Sequence, residues 1–100
     1  MSEKIDLGMI FARSKDVVAR DIQGEFILIP VASGIGELDE DIYSLNEAGR
    51  TIWDKLDGEK KLSVIAKELL SDFDAPPEDI EEDVIGLIEE LFKRNMVLKK

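Results

Sequence analysis

The run Leu45-Asn46-Glu47-Ala48-Gly49-Arg50-Thr51-Ile52-Trp53-Asp54-Lys55-Leu56-Asp57-Gly58 divides the chain. Strand-like segments precede it, two more amphipathic helices follow it, and no catalytic residue set accompanies either half. Within the run, Asn46 suits a helix N-cap, because its side-chain oxygen can accept from a free amide of the first turn. Asp57-Gly58 suits the helix end, with Gly58 able to take the left-handed C′ conformation. Leu45, Ala48, Gly49, Ile52, Trp53 and Leu56 recur at i, i+3, i+4, i+7, i+8 and i+11. That is the apolar stripe of a helix facing a core.

The same template fits twice more: Leu62, Ile65, Ala66, Leu69, Leu70 and Phe73, then Ile80, Asp83, Val84, Leu87, Ile88 and Leu91, with Asp83 in an apolar place. The linkers and lengths differ, so this is helical period and not a solenoid repeat. The third helix is expected to start at Pro77, a favoured first helical position. Its first turn is acidic and its last turn carries Lys93 and Arg94, both complementing the helix dipole. Asn95 fits a left-handed stop, and Met96-Val97-Leu98 is expected to pack back or pair briefly.

Upstream, Met1–Lys15 reads as a flexible N-terminal arm, leaving residues 16–100 as a single domain. Val17-Val18-Ala19-Arg20 and Gly24–Pro30 read as strands joined through the turn chemistry of Asp21-Ile22-Gln23-Gly24. Pro30 stands at a strand end, where its missing N–H does no harm. Val31–Asp39 reads as a loop. Asp41–Leu45 alternates polar and apolar and reads as a third strand, with Tyr43 and Leu45 on one face and Ile42 and Ser44 on the other. The sequence does not decide which pair faces the core. A three-stranded sheet covers one side of a core and needs helices on the other. The expected fold is α+β: a three-stranded antiparallel sheet followed by a three-helix bundle, shaped like a winged helix-turn-helix.

Composition narrows the function. There is no cysteine and no histidine. Disulfides, thiolate nucleophiles and Cys- or His-ligated metals are therefore excluded. The commonest general base is missing too. No cofactor, no metal and no enzymatic activity are expected. The net charge of −10 repels phosphate, which argues against nucleic acid and anionic membrane; it would attract a cationic peptide or protein face, or serve solubility alone. Apolar runs are too short to span a bilayer, and the N-terminus does not read as a signal peptide. A cytoplasmic location is expected.

With these residues in view, the chain resembles the PqqD family, named for pyrroloquinoline quinone biosynthesis and known for recognition elements that bind ribosomally made, post-translationally modified peptides. The marks are Arg13-Ser14-Lys15-Asp16-Val17-Val18-Ala19-Arg20, Gly24-Glu25-Phe26-Ile27-Leu28-Ile29, Leu45-Asn46-Glu47-Ala48-Gly49-Arg50-Thr51-Ile52-Trp53 and Leu56-Asp57-Gly58. Ile65-Ala66, Leu69, Asp83-Val84, Leu87, Leu91 and Val97 follow in order. The resemblance runs from about Phe11 to Leu98. Two positions depart from the family pattern. Lys61 stands where a capping Thr is common, so the second helix needs another cap, with Ser63 a candidate. Asn95 stands where Gly is common, and both tolerate a left-handed backbone.

The resemblance implies a non-catalytic peptide chaperone. A precursor leader adds as a strand to the edge of the third strand and lies against the third helix, to be presented to a partner enzyme, often a radical SAM enzyme. On this chain the edge is Asp41, Ile42, Tyr43, Ser44 and Leu45. The groove wall comes from Ile80, Asp83, Val84, Leu87 and Leu91, with Asp83 placed to meet a basic side chain. Strand addition takes affinity from main-chain bonds and selectivity from side-chain pockets. Micromolar binding is expected. Trp53 and Gly49 are expected to serve the core and close helix packing. A monomer or weak homodimer is expected; competing readings are a scaffold or dimer-forming subunit without a peptide ligand, with two copies pairing through the strand edge, and a winged-helix DNA-binding regulator. The last lacks the Arg, Lys, Asn and Gln that a recognition helix brings to base edges.

Overall fold

The computed structural model describes residues 4–31 and 42–100. In chain order the elements are β1 (Ile10–Arg13), β2 (Val17–Ile22), β3 (Glu25–Pro30), β4 (Tyr43–Leu45), α1 (Glu47–Lys55), β5 (Asp57–Lys61), α2 (Leu62–Asp72), α3 (Pro77–Lys93) and β6 (Val97–Lys99). The architecture is α+β with antiparallel sheets. The expected sheet is present in the order β2-β3-β4, ahead of the helices. A second antiparallel sheet, β5-β1-β6, was not foreseen.

That second sheet changes the reading of the N-terminal segment. Ile10–Arg13, placed by the sequence in an arm outside the domain, is the central strand between β5 and β6. Phe11 is fully buried and Ile5 nearly so. The Phe11 ring meets Phe92 of α3 edge-on, with centroids 5.7 Å apart. The segment also caps α2. Lys61 makes no capping side-chain bond, as its chemistry requires. The amides of Leu62 and Ser63 instead donate to the carbonyls of Met9 and Leu7, each at 2.9 Å. Backbone from the N-terminal segment thus takes the place of the Ser63 side chain expected there.

The end of α1 also departs from expectation. Its C-cap is Leu56, in extended backbone. Gly58 has φ +80° but lies inside β5, where the β1–β5 register shifts by a bulge. A Cβ there would come within 3.3 Å of the Ala12 Cβ. Gly58 therefore serves a bulge and a close strand approach, not a helix C′ position. Asp57 shapes the turn by accepting from the amides of Glu59 and Lys60 at 2.9 and 3.1 Å.

Other local signals match the structure. Asn46 accepts from the Gly49 amide at 2.7 Å and caps α1. Pro77 opens α3. Asn95 adopts φ 61°, and the amides of Asn95 and Met96 donate to the carbonyls of Phe92 and Leu91 at 3.1 and 2.8 Å. That pair of bonds is a Schellman stop. The three helical stripes meet in one core through Ile52, Trp53 and Leu56 of the first, Leu62, Ile65 and Leu69 of the second, and Ile80, Val84, Ile88 and Leu91 of the third. Leu28 and Leu45 bring the β2-β3-β4 sheet onto it.

Candidate functional site

The site is built from the β2–β3 hairpin outward. Gln23 and Gly24 have φ 54° and 84°, the backbone hand of a two-residue type I′ turn. In such a hairpin the flanking residues, Ile22 and Glu25, form a hydrogen-bonded pair. Alternation along the ladder then directs the backbone groups of Glu25, Ile27 and Ile29 to β2, and those of Phe26 and Leu28 to β4. Phe26 pairs with Leu45 and Leu28 with Tyr43, while Ile27 faces Ser44. Tyr43 and Leu45 therefore spend their backbone groups on β3. Ser44 points its N–H and C=O away from the sheet.

That outward edge is open, since β4 ends the sheet order and no described strand covers its far side. The orientation of the side chains is settled too. Leu45 is buried and Tyr43 half-buried on the core side, whereas Ile42 and Ser44 are exposed. Asp41, the other residue expected on this edge, lies outside the described residues.

The open edge faces a cleft of about 1010 Å³ between β4, the start of α1 and the middle of α3. Of the expected site residues, Tyr43, Ser44, Leu45, Asp83 and Leu87 line it. Ile80, Val84 and Leu91 do not; they are 5%, 0% and 0% exposed in the core. The reason is the helical period. Ile80, Val84, Ile88 and Leu91 form the core stripe, and Asp83 and Leu87 lie on its flank, turned toward β4. Glu82 and Gly86 complete that flank, and the sequence reading missed both. A glycine in the interior of a strongly periodic helix was the available signal.

The electrostatics of the cleft are one-sided. Glu25, Glu47, Glu82 and Asp83 line it, and among the described residues none of them joins an ion pair. Among the described residues the lining cation is Arg50, and it is already engaged. Its Nη1 donates to Asp21 Oδ2 at 3.0 Å, and its guanidinium lies 4.6 Å from the Phe26 ring centre. At the other end of β4, the Arg94 guanidinium covers the Tyr43 ring at 4.9 Å. Trp53 is core, and Gly49 lets α1 start close to β4, since a Cβ there would sit 3.1 Å from Leu45 Cδ2.

The site is thus an antiparallel sheet whose edge strand pairs with no further described strand and opens onto a helix-walled cleft. The model of the family described as Coenzyme PQQ synthesis protein D (PqqD) matches residues 25–97. The chain belongs to the PqqD family. The match takes in β3, β4, β5, the helices α1 to α3 and the start of β6, and leaves β1 and β2 outside it. No curated protein matches the chain. Two solved structures share the fold. One is TbiB1 in complex with the TbiA(beta) leader peptide, with a TM-score of 0.67 and 20% identity over 86% of this chain and 93% of that one. The other is a lasso peptide synthetase B1 complexed with the leader peptide, with a TM-score of 0.70 and 20% identity over 88% of this chain and 96% of that one.

Proposed function

We propose that this protein is a non-catalytic recognition module that captures the leader of a ribosomally made precursor peptide by strand addition and presents it to a modifying enzyme, with a radical SAM enzyme the partner that the family resemblance implies. The observation that carries the reading is the free edge of β4 beside the α3 cleft. Ser44 offers one outward donor and one outward acceptor in line with the cleft. An incoming strand satisfies both and lays alternate side chains against Asp83 and Leu87. The cleft is large enough for several residues of an extended peptide. Membership in the PqqD family supports the same reading, and so do the two structural neighbours, each solved with a leader peptide.

No described helix is long and apolar enough to cross a membrane, and we place the module in the cytoplasm with its peptide and enzyme. The test is an amide chemical-shift titration of labelled protein with the leader of a short precursor encoded beside it. Shifts centred on Ile42–Asn46 and on the Glu82, Asp83, Gly86 and Leu87 flank of α3 are expected. A saturable titration that leaves Ser44 unmoved overturns strand addition. Concentration-dependent broadening of β4 amides without any peptide would instead identify the edge as a contact between two copies of the chain.

A further inference from the structure

Gly86 stands in the interior of α3 and is exposed. A Cβ built on it meets nothing within 4 Å. Gly49 and Gly58 differ, because a Cβ at either would press on Leu45 or Ala12. Packing among the described residues thus gives no reason for Gly86, while glycine weakens a helix interior relative to alanine. Its position supplies the reason. Glu82, Asp83, Gly86 and Leu87 are spaced three and four apart, share one helix face, and all line the cleft. The missing side chain leaves a notch in the wall, bounded by Leu87 and, one turn toward the helix start, by two carboxylates that meet no cation among the described residues.

We infer that this notch seats a lysine or arginine side chain of the bound leader, with its aliphatic stem over Gly86 and beside Leu87 and its cationic head between Glu82 and Asp83. The inference rests on the strand-addition reading and names the chemistry that the site selects. Four residues of helix rise about 6 Å, a distance that a lysine stem spans. Among the described residues the cleft has no free cation to welcome an acidic leader, since Arg50 is held by Asp21 and Phe26. Glu25 and Glu47 in its lining add to the negative field. A long amphipathic side chain suits the notch better than a purely apolar one, because its stem covers apolar surface while its head stays paired.

The experiment selects binders to the wild-type protein from a displayed library of random 12-residue peptides. The tightest one is then used as the probe, together with its versions carrying norleucine or glutamate at each cationic position. Selected peptides are expected to share one Lys or Arg position and to shift the amides of Ser44 and Gly86. Norleucine there should weaken binding roughly tenfold, the loss of a charge-assisted pair in a partly exposed site. The Glu82→Gln, Asp83→Asn double variant should bind the probe as weakly and no longer distinguish lysine from norleucine. Gly86→Leu should fill the notch and cost about as much. Circular dichroism checks that each variant is folded. Peptides that shift Ser44 but carry no shared cationic position, or that tolerate norleucine, overturn the notch and leave strand addition standing. Binders that leave Ser44 unmoved overturn strand addition itself.

Discussion

Asp83 and Val84 are neighbours in the chain with opposite destinies. Val84 is fully buried, whereas Asp83 is exposed on the cleft wall and makes no ion pair among the described residues. Reversing the charge at Asp83 should therefore leave the core alone. Asp83→Lys is expected to change stability by no more than about 0.5 kcal/mol, the usual range for a surface site. The same change should weaken a basic leader about tenfold, because it removes an attraction and adds a repulsion within one Debye length. Calorimetric titration beside a thermal melt separates the two effects, and unchanged affinity would remove Asp83 from the site. The sequence alone marks Asp83 as an acid in an apolar stripe. It does not show that the stripe is narrower than its template, so Ile80, Val84 and Leu91 are read there as groove when they are core. A period of three and four residues identifies a face and leaves its centre and margins to tertiary packing.

β4 is three residues long, and one of them carries the accepting edge. The hairpin register directs the Ser44 amide outward, so proline there removes the donor offered to a peptide without removing a bond to β3. Edge strands tolerate proline in that setting. Ser44→Pro is expected to weaken leader binding by at least about tenfold, one main-chain bond plus a clash with the incoming strand, while Ser44→Ala binds as wild type. Unchanged affinity for a folded Ser44→Pro protein would show that the peptide does not pair with this edge. β1 presents the opposite case of an element hidden in the sequence. Its four residues, Ile-Phe-Ala-Arg, carry one strong core side chain and no clear alternation. β5, Asp-Gly-Glu-Lys-Lys, contains no apolar residue with β preference. Both are strands because each pairs with the other, and pairing of that range leaves no local trace. The helices, their Asn46 and Asn95 signals and the β2–β3 turn are local and were readable. Phe11→Ala measures what the hidden strand contributes: emptying a fully buried phenylalanine site costs about 3–5 kcal/mol. A urea melt reports it, and a loss under about 1 kcal/mol would return residues 10–13 to the status of an arm.

Across the molecule, 23 acidic against 13 basic residues leave acid pH to act on many groups at once. Two of them are tied to the fold. The amides of Glu59 and Lys60 hold the Asp57 carboxyl below its usual range, and Lys55 with Lys60 does the same for Glu68. A carboxyl with a lowered pKa in the folded state adds stability above its unfolded pKa and loses that contribution as pH falls through its folded value. Both groups are at the surface, so their share is small. Protonation elsewhere relieves self-repulsion and opposes it. The expected signature is a difference: Asp57→Asn, Glu68→Gln protein should lose less stability between neutral pH and the acid side of the carboxylate range than wild type. Equal slopes in parallel denaturant melts would show that neither contact survives in solution.

The Lys100 amide donates to the Ile10 carbonyl at 2.8 Å, and β1 and β6 run antiparallel from that point. Tension applied between Ile10 and Lys100 would load this ladder from one end, opening its bonds in sequence like a zipper instead of all together in shear. With Phe11 the second residue in the line, a short pull draws a core side chain out early. Mechanically, the ladder joining the first strand to the last yields one bond at a time along that line.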